Sequence, residues 1–406
     1  MDILEAKNLV IKAGHELLKA GLIVRTWGNI SCRVSETQFV ITPSGMAYDT
    51  LTPDDIVLVN IADLSYDGDV KPSSEKGIHA SCYDIRPETN FVIHTHQKNA
   101  SVVSTLGLDI NNITGDEAEL IGTDVPCATY GLPGQPKLRQ GVIAALDRSK
   151  SKAVIMKHHG AVCLGSSYED AFAVANALEN VCEKFIIERC CQVSGKAVET
   201  FSGVVDYVTD VFKSDSKYKA AKEFAPCDST RKGDCFYVGE KDKPCAIIDT
   251  KSGALIGGGE IPDSADMHWA IYKSRKDVNY IRHTKEENVV AMSRKGKKMK
   301  PFLDDLAQLC GPVIKTAVFN PSDTLKTSKK VVKALGKRNA VFIKDNGAIC
   351  VAGSQYDAEA VEIVMEKGCK TAVGAELYAE TKPIGAFDAH LMNFIYKLKY
   401  SKKAGK

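Results

Sequence analysis

The 406-residue sequence has no charge surplus: 53 Lys and Arg stand against 51 Asp and Glu, a formal net charge of +2. That balance excludes a protein that grips nucleic acid through a broad basic surface. It also lacks any run of about 18 apolar residues, so no membrane-spanning helix is expected. The opening Met1-Asp2-Ile3-Leu4-Glu5 does not have the basic-then-apolar layout of a secretion signal. Thirteen cysteines are scattered without a Cys-x-x-Cys pair. This excludes a thiolate zinc finger and a disulfide framework, and reads as reduced thiols of a cytoplasmic protein. A metal site must then be built from histidine and carboxylate, and only nine histidines are present.

What is present is an alternation of helical and extended patterns. Leu4, Leu9, Ala13 and Leu17 recur at helical spacing, predicting an amphipathic helix over 3–20 that stops near Gly21. Short β-like runs follow at 38–42, 56–59, 91–96 and 153–156, with a helix expected over 79–84. Ser166-Ser167-Tyr168-Glu169 has the Ser-x-x-Glu pattern of a capping box. A long helix is expected after it, with Ala171, Val174, Ala175, Leu178, Cys182 and Phe185 on one face.

The pattern then repeats. His79, Tyr83, Arg86 and His94 match His268, Tyr272, Arg275 and His283 at a constant offset of 189. Lys157-His158-His159-Gly160-Ala161 matches Lys344-Asp345-Asn346-Gly347-Ala348 at an offset of 187. Matches in the same order at nearly constant spacing point to a duplicated domain. The boundary is expected near residue 205, ahead of a Lys/Asp/Ser-rich segment over 213–232, giving domains of 1–205 and 206–406.

His94 and His96 stand at i and i+2 at the end of an apolar run, so in a strand both imidazoles face one side. His159 follows another predicted strand, and Glu75 lies upstream. Three imidazoles and a carboxylate suit a divalent transition metal. Gly28-Asn29-Ile30-Ser31, Thr42-Pro43-Ser44-Gly45 and Ser73-Ser74 have the small, polar composition that can encircle an oxyanion with backbone N–H groups and hydroxyls. Any one of them alone also has the composition of an ordinary β-turn.

Taken together, these motifs with Pro126-Cys127-Ala128 and His159-Gly160 resemble the class II aldolase/adducin family, over about residues 1–200. The resemblance implies an α/β fold, a three-layer α/β/α sandwich around a mainly antiparallel sheet, here in tandem. It implies Zn²⁺ held by His94, His96 and His159, with Glu75 first a ligand and then the catalytic acid/base; Mn²⁺, Co²⁺ or Fe²⁺ also suit such a donor set. The implied substrate-phosphate pocket is Gly28, Asn29, Thr42, Ser44, Gly45, Ser73 and Ser74. The implied reaction is formation or cleavage of a ketose phosphate through a zinc-stabilised enediolate of dihydroxyacetone phosphate. An epimerase or dehydratase of sugar phosphates, or a non-catalytic adducin-like scaffold, are the alternatives on the same fold.

The sequence departs from the family in two places. Where the fuculose-phosphate aldolases carry a tyrosine that protonates the aldehyde oxygen, this chain has Gly115, with Asp116, Glu119 and Tyr130 as substitutes. In the repeat, Lys285, Asn346 and Ser264 stand where His96, His159 and Glu75 would be, which reads as a pseudo-domain without metal ligands. The family's fourfold rings imply a homo-oligomer, two fused chains forming a pseudo-fourfold ring, with neither a nucleic acid nor a membrane as partner. The basic run 294–300, the Lys402-Lys403 tail and Cys190-Cys191 read as solvated or packing features, and His79 and His268 as packing or ligand-supporting residues.

Overall fold

In the computed structural model, which describes residues 1–23, 27–240, 243 and 245–399, the first amphipathic pattern forms α1 (Ile3–Lys19). Asp2 caps it by accepting from the Leu4 and Glu5 amides at 3.0 and 3.2 Å, pairing donors that a first turn leaves open. Ala6, Val10, Ala13 and Leu17 form its buried face. The chain divides into two compact units, Met1–Arg189 with Glu380–Lys382, and Cys190–Ala379 with the residues from Pro383 onward.

In the first unit β1 (Asn29–Arg33), β2 (Gln38–Ile41) and β3 (Val57–Asn60) form a meander, followed by α2 (Lys76–Ile85) and β4 (Phe91–Thr95). Next come α3 (Lys98–Ser104), β5 (Ile110–Asn111), α4 (Asp116–Ile121), β6 (Asp124–Val125) and β7 (Cys127–Ala128). The unit closes with α5 (Pro136–Arg148), β8 (Ala153–Met156), β9 (Gly160–Gly165) and α6 (Tyr168–Ser194). Seven strands form one sheet in the order β3-β2-β1-β4-β9-β8-β7. Its pairs are antiparallel except β7–β8, which is parallel. The sheet is therefore mixed, with the mainly antiparallel character expected. Phe39, Ile41, Val92, Val154 and Val162 pack with Tyr83 of α2 and Val142 of α5 in one core, so α2 and α5 cover one face.

Several boundaries differ from the sequence expectation for local reasons. β2 ends at Ile41 rather than residue 42, because Pro43 removes the next ladder donor. β3 starts at Val57, since the Ile56 amide closes a turn onto the Pro53 carbonyl. β4 stops at Thr95, leaving His96 just beyond it. α2 begins at Lys76, not residue 79, because the Ile78 amide already bonds the Glu75 carbonyl. The cap of α6 lies one residue later than the motif suggested. Ser167 Oγ accepts from the Asp170 amide at 3.2 Å while Asp170 accepts from the Ser166 amide at 2.8 Å.

The second unit repeats this plan. α7 (Phe201–Lys213) leads into β10 (Asp228–Lys232), β11 (Cys235–Gly239), β12 (Ala246–Asp249) and β13 (Leu255–Gly258). Then follow α8 (Ala265–Ser274), β14 (Tyr280–Thr284), α9 (Glu287–Arg294), α10 (Asp304–Leu309) and β15 (Thr316–Ala317). The series ends with α11 (Thr324–Leu335), β16 (Ala340–Ile343), β17 (Ala348–Ala352), α12 (Gln355–Ala375) and α13 (Ala386–Lys399). Its eight-stranded sheet runs β13-β12-β11-β10-β14-β17-β16-β15, again with one parallel pair, β15–β16. All thirteen cysteines are free thiols. No described helix is long and apolar enough to cross a membrane. Lys402-Lys403 lies outside the described residues.

Candidate metal centre and anion cradle

β4 delivers His94 at its end and His96 immediately after it. The turn between β8 and β9 delivers His159. That turn is unusual: His158 has φ 63°, a left-handed conformation that non-glycine residues seldom adopt, and its counterpart Asp345 has φ 60°. The turn swings the following side chain inward. Gly160 must be glycine, because a Cβ there would sit 2.2 Å from the Thr95 carbonyl oxygen. Gly28, at φ 91°, is constrained alike: a Cβ would lie 2.6 Å from the His94 carbonyl oxygen.

The four expected donors converge. His94, His96 and His159 are buried, with ligand atoms within 4.8 Å of one another. His96 Nε2 lies 3.0 Å from His94 Nε2. Glu75, at the first turn of α2, places Oε2 3.3 Å from His94 Nε2 and Oε1 3.0 Å from His159 Nε2. His94 Nδ1 donates to the Ala161 carbonyl at 2.9 Å, so its Nε2 lone pair points at the cluster. Such a backbone partner is what orients a metal-bound imidazole. Burial, with the neighbouring imidazoles, lowers the His94 pKa to about 3 despite Glu75. Burial would raise Glu75, yet His159, His94 and Asn29 hold its carboxyl well below the usual range. The Nε2 atoms of His94, His96 and His159 and the two Glu75 oxygens thus face one another in one buried cluster. The donor set fits a divalent transition metal, and these residues could hold one.

Behind Glu75 runs a buried polar chain. Asn29 Nδ2 donates to Glu75 Oε2 at 3.0 Å, and Asn29 Oδ1 meets His79 Nε2 at 2.5 Å. His79 Nδ1 meets Ser31 Oγ at 2.6 Å, and Ser31 Oγ meets Tyr83 Oη at 2.6 Å. The second unit keeps only the far end: Ser229 Oγ bonds His268 Nδ1 at 2.7 Å and Tyr272 Oη at 2.8 Å. Cys227 and Ser264 replace Asn29 and Glu75, and His268 Nε2 has no hydrogen-bond partner among the described residues.

The seven expected phosphate-pocket residues lie on three loops that are tied together. The Ser73 amide bonds the Thr42 carbonyl at 3.0 Å, and the Ser44 amide bonds the Lys71 carbonyl at 2.9 Å. Thr42 Oγ1 accepts from the Ile30 amide at 3.2 Å, and Tyr48 Oη donates to the Gly28 carbonyl at 3.0 Å. Asn29 and Thr42 are thus engaged in bracing the loops. The Ser44 and Ser74 hydroxyls make no hydrogen bond among the described residues, and Gly45 is exposed at the rim. Asp116 and Glu119 are exposed on α4, whereas the Tyr130 ring stands edge-on to His158 with centroids 5.5 Å apart.

Sequence reasoning missed the residues that fix the chain after His96. Gln97 Nε2 donates to the Ala175 carbonyl at 3.0 Å, and Glu179 accepts from the Asn99 and Ala100 amides at 2.6 and 3.1 Å. Their partners are some eighty residues away in sequence, and no local motif announces them.

The family model described as Class II Aldolase and Adducin N-terminal domain matches residues 8–186 and again 241–373. Over 187 residues the chain is 36% identical to a 5-methylthioribulose-1-phosphate/5-deoxyribulose-1-phosphate aldolase of Escherichia coli O45:K1, covering 46% of this chain and 85% of that protein. Among solved structures it is similar to an L-fuculose 1-phosphate aldolase, with 26% identity, a TM-score of 0.43 and coverage of 48% and 89%. Against the L-fuculose-1-phosphate aldolase of Thermus thermophilus the identity is 23%, the TM-score 0.40 and the coverage 48% and 98%.

Proposed function

The chain belongs to the class II aldolase and adducin family, and from that premise we propose that its first unit is a metal-dependent sugar-phosphate aldolase. The observation that supports this most is the convergence of Glu75, His94, His96 and His159 beside the loops of Ser44, Gly45, Ser73 and Ser74. The substrates we propose are 5-deoxy- and 5-methylthio-ribulose 1-phosphates, following the relative's name. Cleavage between C3 and C4 leaves dihydroxyacetone phosphate and a short aldehyde.

The three imidazoles, with Glu75, hold the ion, proposed as Zn²⁺; when bound it supplies Lewis-acid stabilisation of the enediolate charge. The residues do the rest. Gly28, Asn29, Thr42, Ser44, Gly45, Ser73 and Ser74 form the phosphate cradle, with backbone amides and hydroxyls fixing the register of the reacting carbons. In the condensation direction Glu75 takes the proton from C3 of dihydroxyacetone phosphate, a task that suits a carboxylate held ionised. The new bond forms between that carbon and the aldehyde carbon, and the aldehyde oxygen takes a proton. Tyr130 is the donor we propose for it, as the one of the three substitutes that lies beside the His158–His159 turn.

The same reading makes residues 1–205 the catalytic domain, residues 206–406 a copy without metal ligands, and the working particle a homo-oligomer built as a pseudo-fourfold ring. Metal content and aldehyde-dependent consumption of dihydroxyacetone phosphate, measured together, test the assignment. About one metal per chain, lost with turnover in His96→Ala, is expected. Metal without aldol turnover would turn the assignment to an epimerase or dehydratase, and no metal would leave the scaffold. A pure monomer by light scattering would overturn the ring.

A further inference from the structure

The positions that carry the metal donors in the first unit are not idle in the second. Asp345, on the left-handed turn, accepts from Tyr218 Oη at 2.8 Å and from the Ala221 amide at 2.6 Å. Asn346, at the place of His159, uses its whole carboxamide: Oδ1 accepts from the Phe224 amide at 3.2 Å, and Nδ2 donates to the Lys222 carbonyl at 3.0 Å. Lys285, at the place of His96, donates to the Phe224 carbonyl at 2.7 Å. The Phe224 ring is buried against His283, the counterpart of His94, with centroids 5.4 Å apart, and against Phe319 at 4.9 Å. The Lys344 ammonium sits 4.4 Å from the Tyr218 ring centroid.

His283 has changed allegiance too. In the first unit His94 turns Nδ1 to a backbone carbonyl and Nε2 to the cluster. In the second, His283 spends Nε2 on the Asn346 carbonyl at 2.6 Å. The segment these groups hold has no helix or strand, and its inward residues fall at every third position: Tyr218, Ala221, Phe224. Lys219, Lys222 and Glu223 between them are exposed. A spacing of three is that of an extended polyproline-II-like chain, whose free backbone groups suit capture by side chains.

We propose that the second unit's counterpart of the metal centre is a peptide-binding site, and that its ligand is this chain's own segment 218–224, recognised as Tyr-x-x-Ala-x-x-Phe in extended form. The replacements at 285 and 346 are then a gain of recognition as well as a loss of metal donors, and Asp345, at the place of His158, adds to the recognition. Each supplies a donor or acceptor that pairs with the segment.

The test uses the full chain and a fluorescent peptide of residues 216–226. In the double variant Tyr218→Ala/Phe224→Ala, tryptic cleavage after Lys219 and Lys222 is expected to rise at least tenfold over the unsubstituted chain. The peptide should bind that variant saturably and bind the unsubstituted chain, whose site is filled, at least tenfold more weakly. A peptide with alanine at position 224 should lose at least tenfold in affinity. Unchanged cleavage, no peptide binding to the variant, or equal binding to both chains would each overturn the proposal. Should the double variant not fold, Lys285→Met/Asn346→Ala attacks the site from the other side: cleavage should rise and peptide binding be absent. Amide hydrogen exchange of the unsubstituted chain should show slow exchange at Ala221 and Phe224, and fast exchange at both would also overturn it. None of these readouts depends on turnover in the first unit.

Discussion

Asn29 and His79 meet at 2.5 Å through Oδ1 and Nε2, and that bond decides which way the carboxamide faces. A carboxamide oxygen only accepts, so His79 carries its proton on Nε2 and its Nδ1 accepts from Ser31. The Asn29 amino group is thereby aimed at Glu75, where it stabilises the ionised carboxylate.

His79→Leu should therefore release Asn29 without touching a metal donor. The expected result is a fall in kcat of about tenfold or more, with the acid limb of the pH–rate profile moved to higher pH. A variant that lowered only thermal stability and left the profile in place would reduce His79 to a packing residue.

Glu75→Gln keeps the shape of the donor and removes the base. Turnover should drop by roughly 10²–10⁴-fold, while exchange of solvent deuterium into dihydroxyacetone phosphate, which needs only the first proton transfer, should vanish with it. Tyr130→Phe should behave differently: aldol turnover falls by about 10²-fold, but the exchange reaction persists. Equal loss of both reactions in Tyr130→Phe would remove it from the aldehyde side.

Gly160 and Gly347 are the same structural demand in two settings. A Cβ at Gly347 would lie 2.0 Å from the Thr284 carbonyl oxygen. Either alanine substitution should destabilise its unit by about 2–3 kcal/mol. Gly160→Ala should also lose metal, and Gly347→Ala should not.

His268 offers a pH test free of any metal. Burial lowers its pKa to about 3 from an ordinary 6.5, with His283 adding to the effect. Between those values the unfolded chain binds a proton that the folded unit refuses. Stability thus rises with pH across the window and is lost as pH falls below about 6.5. Each such group contributes a slope of about 1.4 kcal/mol per pH unit. Urea unfolding followed by Trp269 fluorescence from pH 7 to pH 5 should show this slope reduced by one proton in His268→Gln.

The proposed donors were legible because each is announced locally. His94 and His96 sit two apart at the end of an apolar run, and His159 sits beside a glycine that the crossing strands require. The duplication was legible because the spacing between its landmarks barely changed. The polar chain through Asn29 and His79 was not, since its members come from β1 and α2 and only the fold brings them together. Segment 213–232 read only as a Lys/Asp/Ser-rich stretch beyond the domain boundary, for a related reason. The side chains that hold Tyr218, Ala221 and Phe224 belong to residues more than sixty positions away, so no local motif announces them.

That occupant also bears on what mutation can undo. Lys285→His and Asn346→His together would return two imidazoles to the second unit, yet Phe224 already fills the space and His283 Nε2 is already committed. Each single step back removes a hydrogen bond from the folded unit and regains no chemistry. The filled pocket thus acts as a barrier to reversion: any path of single substitutions toward a metal-binding second unit runs through variants less stable than either end.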